Sequence, residues 1–344
     1  MKKIIAYTLP LLVLASCESY VENFEIEKHP PKTVLTAIIS ENDSLYMYVS
    51  ESMHIDETNI SNASLAETSS LKLFKNNIEY EGVKEFSKGK YVAIGLSPEA
   101  GNEFTIEAKS NKNPTAKASI SIPSIPSFQL SNFELLNGVI DPTCFGCNED
   151  YVSLTLNIEN PRQTGYFSFE IFRESYVEMT CLRDTLLTDR WGEYWDCAEW
   201  EVIPTKEYTN FGVTSPLIEF YFDGYSYWSL SDAETGFYDF ARIYFTNKNI
   251  HGNSITFNIK IPRYQIDSDT PMKAVLHTYD YSFFQHMKSY TSYQENNFDF
   301  LAEKVKIYSN IENGLGLFAV DFADTISFDV SEFVYEDNQG GYYY

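Results

Sequence analysis

Four cysteines, Cys144, Cys147, Cys181 and Cys197, stand where spacing most invites a chemical reading. Cys144-Phe145-Gly146-Cys147 has the spacing of a redox dithiol, yet such a site opens a helix after a strand. Here Asp141-Pro142 precedes the motif and Asn148-Glu149-Asp150 follows, a turn context, and no second Cys-x-x-Cys completes a zinc site. Structural disulfides are therefore expected, with Cys144–Cys147 and Cys181–Cys197 the favoured pairing of those possible. The stretch closed by the second pair holds Trp191, Tyr194 and Trp195, with Trp200 just beyond it. Such rings give large contact area at little entropy cost, which fits stacking on sugar or docking on a partner. They fit equally the core face of a hairpin, and the sequence leaves both readings open.

Other chemistry is thin. His29, His54, His251, His277 and His286 show no metal-ligand spacing, and His277 and His286 flank an expected helix, where packing or exposure is the expectation. Asp267-Ser268-Asp269 has too few oxygen ligands for a calcium loop and reads as a solvated turn. Gly314-x-Gly316-x-x-Ala319 lacks the strand–helix setting of a dinucleotide fingerprint. Gly314 is expected to take positive φ in a turn and Gly316 to admit a close backbone neighbour. No nucleophile elbow or phosphate loop stands out, so no catalytic residue, metal or cofactor is assigned and the chain is read as a non-enzyme.

The compartment is read from the start of the chain. Lys2 and Lys3, a short apolar run to Leu14, and Ala15-Ser16 before Cys17 form a secretory signal, too short to span a bilayer, which needs about 20 apolar residues. Leu14-Ala15-Ser16-Cys17 resembles the lipobox of bacterial lipoproteins, whose cysteine carries the acyl chains and becomes the first mature residue. An outer-membrane protein held by lipid at Cys17 is expected, anchored stably by two or more chains. Residues 17–31 read as a tether ending in Pro30-Pro31, and Glu18, Glu22, Glu25 and Glu27 loosely resemble surface-export signals of Bacteroidota lipoproteins, which favours the surface face. A formal charge of −24 repels phosphate backbones and excludes nucleic acid as a partner. Disorder is excluded too, since 44% of residues are hydrophobic and 16% aromatic.

Two β units must position these residues. Residues 32–122 alternate in short strands, with Leu45, Met47 and Val49 on one face and a hairpin at Lys75-Asn76-Asn77, which predicts an immunoglobulin-like sandwich. Pro123-Ser124-Ile125-Pro126-Ser127 reads as a linker. Residues 128–344 read as a larger β-sandwich or barrel-like domain in which Phe167, Phe169 and Ile171 share a face. One helix is expected near 282–294, capped by Ser282 with Gln285 reaching back, followed by separate strands over 315–321 and 325–330.

Together the lipobox, Ser119-Ile120-Ser121-Ile122-Pro123, the helix after Tyr279, and the run from Tyr308 to Phe318 (Tyr-Ser-Asn-Ile-Glu-Asn-Gly-Leu-Gly-Leu-Phe) resemble one family. It is the Bacteroidota outer-membrane lipoproteins of the domain-of-unknown-function 4249 type. The resemblance spans nearly the whole chain after Cys17. Its members are commonly encoded beside TonB-dependent transporters, which implies an accessory that captures cargo (glycan or peptide) or gates such a transporter. A purely structural docking subunit and a hydrolase of imported glycan or peptide are the alternatives. Asp43-Ser44-Leu45, Asp184-Thr185-Leu186 and Asp324-Thr325-Ile326 resemble the O-glycosylation sequon of Bacteroidota.

Overall fold

A computed structural model describes residues 29–53, 68–110, 113–140, 148–159, 164–189, 192–213, 215–222, 242–248, 250, 252–266, 270–296 and 304–334. The described chain is all-β with one α-helix.

Residues with period-2 alternation form the first unit: β1 (Thr33–Ile39), β2 (Ser44–Glu51), β3 (Thr68–Lys75), β4 (Ile78–Glu79), β5 (Val83–Ser87), β6 (Lys90–Ile94), β7 (Glu103–Ser110) and β8 (Ala116–Ser121). The β3–β4 hairpin turns through Asn76 and Asn77 at φ 52° and 64°, the left-handed pair that a two-residue hairpin requires. Leu35, Met47 and Ala93 from one sheet pack on Leu73, Phe104 and Ile106 from the order β4-β3-β7-β8.

The second unit holds β9 (Phe128–Ile140), β10 (Asn148–Glu159), β11 (Tyr166–Asp189), β12 (Gly192–Tyr208), β13 (Gly212–Val213), β14 (Ile218–Phe222), β15 (Arg242–Thr246), β16 (Ser254–Pro262), β17 (Met272–Tyr279), α1 (Tyr281–Asn296) and β18 (Gly314–Phe328). A four-stranded sheet in the order β13-β16-β10-β9 buries Leu154, Ile158 and Phe257 against Phe167, Phe169 and Ile171 of β11. As expected, those three residues share the core face of their strand.

The two units are not separate sheets. A 10-stranded sheet runs β14-β15-β11-β17-β18-β1-β2-β6-β5, with β12 on β11, and serves both sandwiches. The expected pair of strands over 315–330 is one strand instead. Its first half pairs parallel with β1, from Thr33↔Gly314 to Ile39↔Val320. Its second half pairs antiparallel with β17, from Tyr279↔Asp321 to Met272↔Phe328. A segment assigned from sequence to the second domain thus completes the first sandwich, where Phe318, Val320 and Phe322 join the core.

Changing neighbours leaves part of the β18 edge without a strand, and side chains fill it. Asn310 donates from Nδ2 to the Phe318 carbonyl at 2.6 Å and accepts the Phe318 N–H at 3.0 Å. Asp280 accepts the Val320 N–H at 2.9 Å. The same carboxylate takes the N–H groups of Ser282 and Phe283 at 2.9 and 3.3 Å, so Asp280, not Ser282, caps α1. Burial pushes the Asp280 pKa up, against the lowering effect of those backbone donors.

Gly316 sits at φ +109°, and a Cβ there would stand 2.1 Å from the Leu35 carbonyl oxygen. The left-handed turn expected at Gly314 falls on Asn313 at φ 56°, while Gly314 is crowded by the Thr33 carbonyl, 2.7 Å from a built Cβ. Gly316→Ala is expected to cost about 1–3 kcal/mol from backbone strain, and more where β1 must yield. Urea unfolding measures it; an unchanged midpoint would mean that β1 and β18 do not approach as closely as described.

Candidate functional site

On the face of β11 opposite Phe167, Phe169 and Ile171, the alternation places Tyr166, Ser168, Glu170 and Phe172. Register does the rest: Glu170 stands opposite Arg242 of β15, and Ser168 opposite His277 of β17. Glu170 is fully buried, and Arg242 donates to its Oε2 from Nε at 2.6 Å and also from Nη2. His277 bridges two acids, with Nε2 3.4 Å from Glu170 Oε1 and Nδ1 2.7 Å from Asp321 Oδ1. Ser168 Oγ lies 2.6 Å from the Tyr279 hydroxyl, and Tyr279 stacks on His277 with ring centroids 5.8 Å apart.

Burial works against the charge on Glu170, yet His277 and Arg242 outweigh it and hold the carboxyl below its ordinary range. Burial likewise disfavours imidazolium at His277, but hydrogen bonds to Asp321 and Glu170 raise its pKa. When His277 is protonated, two carboxylates, one guanidinium and one imidazolium sum to no net charge, which is how a buried ionic group escapes a large desolvation penalty. What the arrangement can do chemically is hold charge in place. The two hydroxyls beside it, Ser168 and Tyr279, are fully buried, and neither of two grooves on the described surface is lined by a cluster member. Among the described residues no group of three His, Cys, Asp or Glu is arranged to hold a metal ion.

The cluster lies at the root of a projection. β11 pairs with β15 only through Glu170 and with β17 only through Arg173, while it pairs with β12 from Phe172 to Asp189. Residues 174–189 and 192–206 therefore form a two-stranded ribbon beyond the sheet, about 50 Å long at the usual rise per residue. Its root is fixed tightly. Arg173 forks onto Glu207, with Nε–Oε2 at 2.9 Å and Nη2–Oε1 at 2.8 Å, and Lys273 Nζ meets Glu174 at 2.5 Å. Phe172 packs edge-on against Tyr208 and carries Lys206 Nζ 4.4 Å above its ring. Burial and the Glu170 charge raise the Tyr208 pKa, with Arg242 opposing them, so this root residue senses the cluster directly.

The candidates from sequence fall as follows. Cys17, Cys144, Cys147 and Trp191 lie outside the described residues, as do His54, His251, Asp267, Ser268 and Asp269. Tyr194, Trp195 and Trp200 lie on β12, opposite Leu187, Leu186 and Cys181 in the ribbon register. Cys197 stands opposite Asp184, not Cys181. Cys181 stands opposite Trp200 in the same register. Of the histidines, His286 donates from Nδ1 to the Tyr308 carbonyl, 2.8 Å away, and His277 is packed in the ion cluster. Sequence reasoning passed over Glu170, Arg242 and Asp321. The available signal was Glu170 itself, an acid inside the apolar alternation Phe167-Ser168-Phe169-Glu170-Ile171.

The linked pKa values set a pH window. Stabilisation from His277 is complete below about pH 6.5 and is lost as pH rises through its raised value, while that from Glu170 is complete above about pH 4.3 and is lost as pH falls through its lowered value. The melting temperature should fall between pH 6 and pH 9, and less steeply in His277→Gln; equal slopes would remove His277 from the ionic cluster. Arg242→Leu, which strips Glu170 of its guanidinium, should cost about 3–5 kcal/mol, read by chemical unfolding.

A family model described as "Domain of unknown function (DUF4249)" matches residues 21–325. No curated protein matches the chain.

Proposed function

The chain belongs to the DUF4249 family, and from that premise we propose that it is a lipid-anchored outer-membrane lipoprotein serving as a non-enzymatic accessory of a TonB-dependent transporter, with the β11–β12 ribbon as its contact element. One observation carries the reading: past Arg173 the ribbon pairs with no other described strand. A two-stranded ribbon in water is marginal by itself, so a long one rooted by ion pairs suits a partner that completes it. The aromatic positions Tyr194, Trp195 and Trp200 fall within this projecting stretch, which favours their use as contacts over a place in the domain core.

The burial of Ser168 and Glu170 supports a structural rather than catalytic use of the ionic cluster. Anchoring at Cys17 holds the protein beside its channel, so that raised effective concentration replaces high intrinsic affinity. Capture or gating then needs only a ribbon of modest contact energy.

Two measurements check this. Cys17→Ala should move the protein from the outer-membrane fraction to the soluble one; a variant that still sediments with membranes at native mobility contradicts the anchor. Purification of the full chain from outer membranes should co-isolate a TonB-dependent channel, and Trp195→Ala should weaken that association by about 30-fold, a hot-spot loss of roughly 2 kcal/mol, at nearly unchanged melting temperature. A large fall in melting temperature with undiminished association in the folded fraction would place Trp195 in a core instead.

A further inference from the structure

The run resembling the family motif, Tyr308 to Phe318, does more than enter β18. With α1 it walls a groove of about 570 Å³, within the size range of small-ligand sites. One wall is a helical stripe in which Gln285, Lys288, Ser289 and Ser292 recur at three- and four-residue intervals. The other wall is tied to it: Ser289 Oγ accepts the Tyr308 N–H at 2.8 Å, and His286 Nδ1 meets the Tyr308 carbonyl at 2.8 Å. The groove is thus held open by bonds independent of any ligand.

Its charge runs against the rest of the molecule. The chain carries 25 basic and 49 acidic residues, yet Lys32, Lys288 and Lys306 line this one groove and no carboxylate does. Lys288 is held by Glu219 at 2.8 Å. Lys32 and Lys306 are exposed and have no ion-pair partner among the described residues. Ile307, Ile311 and Leu315 give the same groove an apolar part of its lining, and Ser292 adds a hydroxyl-bearing residue.

We infer that this groove binds a phosphate group carried on an organic body. The ammonium groups of Lys32 and Lys306 would take the phosphate as point charges, and Ile307 and Leu315 would take the attached body. A strongly negative surface elsewhere repels such an anion, so the groove is where it is held. The ligand's phosphate can belong to a lipid headgroup or to a soluble phosphate ester. The inference does not depend on the transporter reading, because it rests on the groove alone.

The test uses the full chain with Cys17→Ala, which removes any contribution of an acyl anchor. Its probes are glycerol 3-phosphate in solution and vesicles of phosphatidylglycerol, with phosphatidylcholine vesicles as control. Binding to glycerol 3-phosphate without vesicle retention identifies a soluble ester; retention on phosphatidylglycerol over phosphatidylcholine identifies a headgroup. Either is expected to fall at least about tenfold in Lys32→Ala/Lys306→Ala and to weaken in high salt, at an unchanged melting temperature. Lys32→Arg/Lys306→Arg should retain most of it. No binding of either phosphate probe, or binding undiminished in the alanine pair, overturns the inference.

Discussion

The rest of the structure depends on a single backbone, that of β18, being hydrogen-bonded to two different strands in turn. For seven residues it lies parallel to β1 and for the next eight antiparallel to β17. A strand can switch neighbours only if the groups it abandons find other partners, since a buried, unpaired N–H or C=O costs about 1–3 kcal/mol. Asn310 and Asp280 supply those partners at Phe318 and Val320. Asp280 does so while capping α1, so the helix start, the end of β17 and the strand switch are fixed by one carboxylate. Both hydrophobic cores then rest on the same strand, and loosening β18 would loosen both.

This arrangement explains what was legible in the sequence and what was not. Alternation told which residues face a core, as in Leu45, Met47 and Val49, and the Asn76-Asn77 turn was legible because two adjacent left-handed residues define a hairpin. Neither signal says which strand lies alongside. Thr33 and Gly314 are partners across nearly the whole chain, and no local pattern announces a pairing so distant. The cap was missed for a related reason. Ser282 and Gln285 satisfy a local rule, but Asp280 reaches both the helix N–H groups and β18, and the tertiary bond decides. The glycines repeat the point: Gly316 was legible as a close approach, while the turn belongs to Asn313.

The ionic cluster is legible only in three dimensions. Glu170, Arg242, His277 and Asp321 come from four strands and become neighbours because β15, β11, β17 and β18 lie side by side in one sheet. An apolar replacement would often be as stable, so ions at such a site ask for a reason beyond stability. Register is one. An acid of β11 matched to a base of β15 and an imidazole of β17 penalises a one-residue slip, which would turn every charge into the hydrophobic core. β11 is the strand in which such a slip would matter most, because it leaves the sheet and continues as the ribbon.

The same logic links root and ribbon. Of the 24 residues in β11, the first eight all pair with β17, and the remainder pair with β12 alone. Ion pairs therefore concentrate where support is about to end: Arg173 with Glu207, Lys273 with Glu174, and Arg242 with Glu170. A bidentate arginine fixes direction as well as distance, because its planar fork admits one orientation of the carboxylate. Pairs of this kind at the root set the angle at which the ribbon departs, and over a span of about 50 Å a small change in that angle moves the tip by many ångströms. The sheet thus aims the ribbon, and the charges that look wasteful in a core are the means by which it does so.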